Sequence, residues 1–303
     1  MPAHTPFPAI TFPGMTFPAT SPLSIPADPL PPRLATRTFE TMGTVVGVSA
    51  PLAGEELDVL SDTLLRIFAD ADRRFSLYRP ESELSRVSAG ERSLPFASAR
   101  LRGMYALALE WRNRTGGVFT PHGPDGVLDL NGVVKGWAIA AAGEALEELG
   151  VPHWAVNAGG DILCSGSPFP VPADRADPRG GTPWRAAIAD PDDPQALVAD
   201  LPLAGTPGTT AALATSGSAE RGEHIWGGAG HSGSTGHGAA FRQVSVLGED
   251  ILTADVLATA IVAGGMDTLE HAVREWGVEV LAVAYGGMLL ATPGWPRATR
   301  EAG

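Results

Sequence analysis

Apolar residues recur at intervals of three and four along several stretches of the chain, and this spacing predicts amphipathic helices. The clearest stretch follows Gly54, where leucine, isoleucine and phenylalanine side chains fall on one helical face. Glycines directly after two of these stretches mark helix ends, because glycine readily adopts the left-handed backbone found there. The predicted helices cover residues 54–74, 100–114, 135–149, 253–264 and 267–276.

Between the helices, short runs rich in Val, Ile, Thr and aromatic residues predict β-strands. The runs 153–157 and 161–166 flank a glycine turn and therefore predict a hairpin. The other predicted strands cover residues 36–50, 126–130, 184–190, 213–218 and 241–248, with a closing hairpin over 278–287 and 288–294. Because strands and helices do not alternate regularly, we expect an α+β fold with mainly antiparallel sheets and packed helices. Strand, helices and strand pair recur loosely in both halves, which indicates a possible internal duplication.

The charge balance excludes some classes of partner. The 303 residues include 21 basic and 34 acidic side chains, a formal net charge of −13. A nucleic acid or an anionic membrane surface would need clustered Lys and Arg, so neither is expected. An anionic small ligand is still compatible, because one cation or one helix N-terminus can hold a phosphate locally. Cys164 is the sole cysteine, which excludes an intramolecular disulfide and a Cys-based zinc site.

The two ends of the chain differ from its centre. The first 32 residues hold ten of the 27 prolines and neither lysine nor arginine, unlike a signal peptide. No run of about 20 apolar residues occurs, so no membrane span is expected. We predict a disordered Pro-rich tail over residues 1–33, a single domain over 34–297, a C-terminal tail over 298–303 and a cytoplasmic location.

Two oxygen-bearing side chains interrupt the apolar segment TADVLATA at residues 253–260. Asp255 and Thr259 are four residues apart and share one face of a helix whose N-cap we expect at Thr253. A carboxylate and a hydroxyl are hard oxygen donors that suit Mg²⁺, which leaves positions for phosphate and water. The alternative is structural, with an Asp that caps the helix and a Thr bonded back to its backbone.

The segment VLDLNGVVKGWA at residues 127–138 combines an acid, a glycine and the sole lysine of the chain. Asp129 ends a short strand, Gly132 permits an unusual turn, and Lys135 opens a helix. Together, an acid, exposed loop backbone and a helix N-terminus can hold a phosphate or a ribose. The alternative is a turn between strand and helix with a surface lysine. Neither GxxxxGK[ST] nor a GxGxxG after a strand occurs, so a P-loop and a Rossmann site are unsupported.

His224, in SAERGEHIW, is flanked by charged residues and glycines. Histidine titrates near neutral pH and can act as a general base. A loop histidine is usually only solvated, so this residue alone decides nothing. No GxSxG segment occurs, which leaves a serine nucleophile elbow unsupported.

Seven segments, each weak alone, follow one another in a particular order. They are TMGT at 41–44, FSLYRPESELSRVS at 75–88, TGGVFTP at 115–121, LDLNGVVKGWA at 128–138, VNAGGDI at 156–162, ALATSGSAERGEHI at 212–225 and TADVLATA at 253–260. In this order the chain resembles the ApbE family, the FAD:protein FMN transferases. The resemblance spans nearly all of the expected folded part. It implies the T-fold-like, internally duplicated α+β architecture of that family.

The resemblance also implies an enzyme that binds FAD with Mg²⁺ and splits the pyrophosphate of FAD. FMN would pass to a Thr or Ser hydroxyl of an acceptor flavoprotein, and AMP would leave. Carried over by position, the residues that would bind FAD are Met42, Tyr78, Gly117, Val118, Asp129, Lys135 and Ile225. A backbone carbonyl at Gly132, together with Asp255 and Thr259, would hold Mg²⁺. His224 and Lys135 would be catalytic, the first as the base for the incoming hydroxyl.

The chain departs from the family pattern at two places. The family usually continues the His-Ile segment into Asp-Pro and Thr-Gly, whereas this chain reads HIWGG and reaches Thr235 later. Thr120 and Pro121 stand where the family usually has Asp-Pro. These departures concern the acceptor side more than the FAD side. They leave two alternatives open, namely hydrolysis of FAD to FMN and AMP, and an FAD-binding protein with little turnover.

Overall fold

The computed structural model describes residues 33–123, 125–170, 181–217 and 240–296. These residues include five α-helices, α1 to α5, at Gly54–Phe75, Glu83–Ser88, Ala99–Arg114, Asn131–Glu148 and Ile251–Trp276. They also include ten strands, β1 to β10, at Ala35–Thr41, Thr44–Ala50, Trp154–Ala158, Asp161–Ser165, Trp184–Ala189, Leu197–Leu203, Thr210–Gly217, Phe241–Gly248, Glu279–Ala284 and Leu289–Ala291. The predicted tail over 1–33, except Arg33, and the C-terminal tail lie outside the described residues.

Eight strands form one antiparallel sheet in the order β1-β2-β3-β4-β7-β8-β9-β10. Helices α1, α4 and α5 pack on one face, where their apolar side chains form the main core with residues such as Val46 and Val244. Strands β5 and β6 pair as a second sheet. Their buried side chains, including Trp184 and Leu201, form a smaller core with residues such as Leu213 and Leu281. The architecture confirms the predicted α+β class with antiparallel sheets.

The same order of elements occurs twice in the large sheet. A hairpin, helices and a second hairpin follow one another as β1–β2, α1 to α4 and β3–β4, and then again as β7–β8, α5 and β9–β10. The two halves join where β4 pairs with β7, with Ile162 opposite Leu213. This repeat agrees with the internal duplication that the sequence indicates.

The predicted single strand over residues 36–50 is instead a hairpin. Strands β1 and β2 turn back at Met42 and Gly43, whose φ angles are 51° and 69°. Two positive φ angles in a two-residue loop match the twist of the flanking strands. Asn or Asp usually occupies the first of these positions, so the methionine concealed the turn in the sequence.

The structure differs from the sequence prediction at two further strands. Residues 126–130 contribute only a single bridge between His122 and Leu128, because the surrounding loop folds on itself. Strand β6 was not predicted, since LVADLPL carries polar residues and a proline. It is an edge strand of a two-stranded sheet, where such residues are tolerated.

Helix α5 contains both helices predicted near the C-terminus. They meet at Gly265, whose backbone is not helical (φ 69°, ψ −148°). The N-cap is Asp250 and not Thr253, because the Asp250 carboxylate accepts a hydrogen bond from the Thr253 backbone N–H at 2.6 Å. By length and hydropathy α5 could cross a membrane, and 67% of its most apolar window is buried inside the fold.

Candidate active site

A cavity of about 1190 Å³ opens at the end of the large sheet where the β1–β2 and β3–β4 turns lie. The N-terminus of α4, the C-terminal part of α1 and the loop before Asp129 complete its wall. The wall includes seven of the residues singled out from the sequence, namely Met42, Tyr78, Val118, Asp129, Gly132, Lys135 and Thr259. With Ala158 and Gly159 of the segment VNAGGDI, the structure brings together six of the seven sequence segments at one cavity.

Two hairpin turns form one side of the cavity. Gly159 and Gly160 both have positive φ angles and connect β3 to β4. The Gly159 N–H donates to the Val45 carbonyl oxygen at 3.2 Å, which joins this turn to the β1–β2 turn. A Cβ atom at Gly159 would lie 2.5 Å from the Thr44 Oγ1 atom. The glycine is therefore required both by its backbone angle and by the close approach of the two turns.

The start of α4 forms the opposite side. The Asp129 carboxylate accepts a hydrogen bond from the Asn131 N–H at 2.8 Å, which fixes the chain where the helix begins. A Cβ atom at Gly132 would lie 2.7 Å from the Phe119 ring, so this ring packs against the first turn. Because Asn131 and Gly132 line the cavity, the positive end of the helix dipole faces it. Such an end attracts anionic groups.

Three charged side chains meet at and directly behind the cavity wall. The Lys135 ammonium forms an ion pair with Asp161, and its Nζ atom lies 3.6 Å from Asp255 Oδ1. Both carboxylates are fully buried, and Lys135 is 13% exposed. Gly136 allows this meeting, because a Cβ atom there would lie 2.9 Å from the Leu252 Cα atom of α5.

The electrostatics of this cluster favour an added cation. Burial, and then the nearby Asp255 charge, raise the pKa of Asp161 to about 6, although the Lys135 ammonium and the Thr215 N–H oppose the shift. One ammonium thus serves two buried carboxylates, which cost free energy unless they are compensated. Both oxygens of Asp255 are buried and have no hydrogen-bond partner among the residues that the structure describes.

The residues present fit the Mg²⁺ ion that the family resemblance implies. Asp255 offers two carboxylate oxygens that accept no hydrogen bond from the described residues, and Thr259 lines the cavity one helical turn further along α5. The Thr259 hydroxyl is within 3.0 Å of the Ser216 hydroxyl. Within the described residues, no three His, Cys, Asp or Glu side chains gather into a metal site. A cation here would therefore complete its shell with hydroxyl, carbonyl, phosphate or water oxygens, as Mg²⁺ does.

Tyr78 stands at the mouth of the cavity. Tyr78 is 77% exposed, so its ring is not packed in the core. The hydroxyls of Ser82 and Ser85 both donate to the Ser76 carbonyl oxygen, at 2.6 and 3.0 Å. These bonds hold the short loop that carries Tyr78.

Four predicted residues are not on the described cavity wall. Gly117 lies three residues after the end of α3 with a φ of 87°, and its N–H donates to the Arg112 carbonyl oxygen at 2.7 Å. Asp255 lies behind the wall, next to Lys135. His224 and Ile225 fall outside the described residues.

Asp161 and Ser216 are polar residues of the site that we did not single out. The VNAGGDI segment drew attention to its glycine turn, while Asp161 is the buried acid beyond it. A signal was present, because Asp161 and Leu163 alternate along a strand and must share its buried face. An acid at such a position needs a buried partner, and the sole lysine was available.

The fold and the site define an antiparallel α+β protein with a cavity suited to an anionic ligand and a hard cation. Comparison with known proteins narrows this class. The ApbE family model matches residues 120–282, and the chain belongs to the ApbE family.

Individual relatives agree with this assignment. An FAD:protein FMN transferase from Vibrio cholerae is 27% identical over 258 aligned residues, which cover 66% of this chain and 72% of the relative. Three solved structures share the fold. The flavin transferase ApbE from Vibrio cholerae has a TM-score of 0.64 at 20% identity and covers 86% of this chain and 98% of its own. The apo flavinyl transferase ApbE from Pseudomonas stutzeri has a TM-score of 0.64 at 20% identity, and the match covers 88% of this chain and 97% of that structure. The ApbE protein from Thermotoga maritima has a TM-score of 0.67 at 18% identity, and the match covers 86% of this chain and 97% of that structure.

Proposed function

We propose that this protein transfers FMN from FAD to a Thr or Ser hydroxyl of an acceptor flavoprotein in the cytoplasm, with Mg²⁺ and with release of AMP. The observation that carries the proposal is the meeting of Lys135, Asp255 and Thr259 beside one large cavity. An ammonium, a buried carboxylate and a helix N-terminus are suitable groups for a diphosphate bound with a cation. Membership of the ApbE family and the name of the Vibrio cholerae relative support the same activity.

The chain's own residues bind and orient the substrate in this proposal. Lys135 donates to diphosphate oxygens, and the first turn of α4 adds backbone N–H groups and its dipole. Asp129 accepts from a ribose hydroxyl. Met42 and Tyr78 pack against a ring at the cavity mouth.

The Mg²⁺ ion would be held by Asp255, Thr259 and the Gly132 carbonyl. When bound, it would neutralise diphosphate charge and make the attacked phosphorus more electrophilic. Phosphoryl transfer depends mainly on such positioning and charge neutralisation.

The proposed reaction exchanges one P–O bond for another. The acceptor hydroxyl oxygen bonds to the phosphorus of the FMN half, and the bond from that phosphorus to the bridging oxygen breaks. AMP leaves with the bridging oxygen, and the hydroxyl proton passes to a base. His224 is the base we propose, in the segment that follows the end of β7 at Gly217.

The test is incubation of the protein with FAD, MgCl₂ and a candidate acceptor flavoprotein. Intact-mass spectrometry should show the acceptor heavier by one FMN, with AMP formed in equal amount. The matched controls are an acceptor with its Thr or Ser replaced by Ala, and a reaction with EDTA. Free FMN and AMP without a modified acceptor would replace the proposal with hydrolysis, and bound but unchanged FAD would indicate a binding protein.

A further inference from the structure

Asp161 is a fully buried carboxylate whose role the proposed function leaves open. It begins β4 directly after the Gly159–Gly160 turn. Its Oδ1 atom accepts a hydrogen bond from the Thr215 backbone N–H of β7 at 3.0 Å. The other oxygen pairs with the Lys135 ammonium. Asp161 therefore connects β7, the first strand of the second half of the sheet, to the first turns of α4.

The Lys135 ammonium and a bound cation would compete for the Asp255 carboxylate. Lys135 is the only basic group that forms an ion pair with either buried acid among the described residues. If its ammonium moved fully onto Asp255, it would occupy the carboxylate that we assign to the cation. The 3.6 Å separation from Asp255 Oδ1, against the direct pair with Asp161, shows which acid holds it.

We propose that Asp161 is a positioning residue, which holds the Lys135 ammonium at the cavity wall and so keeps Asp255 open for a divalent cation. This inference rests on the proposed function. A lysine side chain has four rotatable bonds, so without a fixed partner its ammonium would not stay in one place. Asp161 is itself fixed by the Thr215 N–H, and Thr215 Oγ1 is in turn within 2.8 Å of Ser245 Oγ on β8.

The sole lysine gives a direct measurement of this pairing. Protein labelled with ¹⁵N-lysine should show one ammonium resonance in a ¹H–¹⁵N spectrum at neutral pH, without FAD or Mg²⁺, because an ammonium that is paired and only 13% exposed exchanges its protons slowly. Asp161→Asn should shift this resonance or broaden it beyond detection. An ammonium resonance missing from the unaltered protein, or unchanged in the variant, would overturn the proposal.

Cation binding supplies the second measurement. In calorimetric titration with MgCl₂, Asp161→Asn should bind Mg²⁺ about 10- to 100-fold more weakly. This is the usual loss of affinity when a residue that orients the groups around a metal is removed. FAD affinity without Mg²⁺ should not fall, because the variant removes a negative charge near the diphosphate. Asp200→Asn removes the same charge from an exposed position on β6 and is the matched control.

The Asp161→Asn variant is expected to fold. The asparagine carbonyl can still accept from the Thr215 N–H, and one ammonium then faces one carboxylate. A drop in Tm together with equal losses of FAD and Mg²⁺ binding would assign Asp161 a purely structural role and overturn the proposal. Failure of the unaltered protein to modify an acceptor would count against the proposed function alone, since the lysine resonance is measured without substrate.

Discussion

Gly136→Ala tests the close approach of α4 and α5, on which the meeting of Lys135 and Asp255 depends. A methyl group here would lie 2.9 Å from Leu252 Cα and 3.4 Å from the Asp255 Oδ2 atom. Carbon atoms pack at about 3.5–4.0 Å, so the two helices must move apart locally by roughly 0.6–1 Å. Overpacking of this kind costs about 1–3 kcal/mol of unfolding free energy. We also expect Mg²⁺ to bind about tenfold more weakly, because the proposed cation ligands on the two helices, the Gly132 carbonyl of α4 and the Asp255 carboxylate of α5, move apart.

Thermal unfolding and calorimetric titration with MgCl₂ measure the two effects. Gly143→Ala is the matched control, since it lies on the same helix and its methyl group would lie 2.6 Å from the Trp154 ring on the side of the sheet. It should lower Tm similarly and leave Mg²⁺ affinity unchanged. The reasoning is refuted if Gly136→Ala raises Tm and keeps full Mg²⁺ affinity, because alanine stabilises a helix by about 1 kcal/mol over glycine where space is available.

Four further outcomes are expected. Asp255→Ala should reduce FMN transfer more than about 100-fold in the acceptor mass assay, and full activity would contradict the metal assignment. Lys135→Arg should lower kcat about tenfold or more although the charge is kept, because a planar fork does not replace a compact ammonium; unchanged kinetics would return Lys135 to a structural role. Glu144→Gln should raise Tm at pH 7, since burial, and then Glu148, Glu147 and Asp250, raise the pKa of Glu144; a lower Tm would show that the carboxylate is stabilising. Burial lowers the pKa of His153 below 6.5, so the neutral ring stabilises the fold above pH 6.5, and this contribution is lost as the pH falls from 6.5 through the lowered pKa. The Tm difference between the unaltered protein and His153→Gln should therefore shrink on acidification, and a constant difference would contradict this role of the ring.

The elements with a strong period were predictable, while those decided by backbone angle were not. The spacing of apolar residues predicts α1, α3 and α4 within a few residues. The break between β1 and β2 depends on positive φ angles at Met42 and Gly43, and methionine gives no turn signal. The α5 start was misplaced because Thr253 and Asp250 are both capping residues, and only the hydrogen bond decides between them.

The candidate site shows the same division. The sequence allowed the selection of Asp255, Thr259 and Lys135, because a polar side chain in an apolar helix costs free energy unless it has a partner or a ligand. Asp161 could be placed on the buried face of a strand, but its partner could not be identified, since the contact with Lys135 depends on how α4 packs against β4. No local pattern encodes that packing.

The seam between β4 and β7 has a consequence for how the protein responds to its ligands. Lys135 and Asp161 belong to the first repeat of the sheet, whereas Thr215, Asp255 and Thr259 belong to the second. Neither repeat alone carries all of the groups that we propose for binding the nucleotide and the cation. A nucleotide and a cation bound there would act as a clamp across the repeats, so that saturation with both should make the two repeats melt as one cooperative unit.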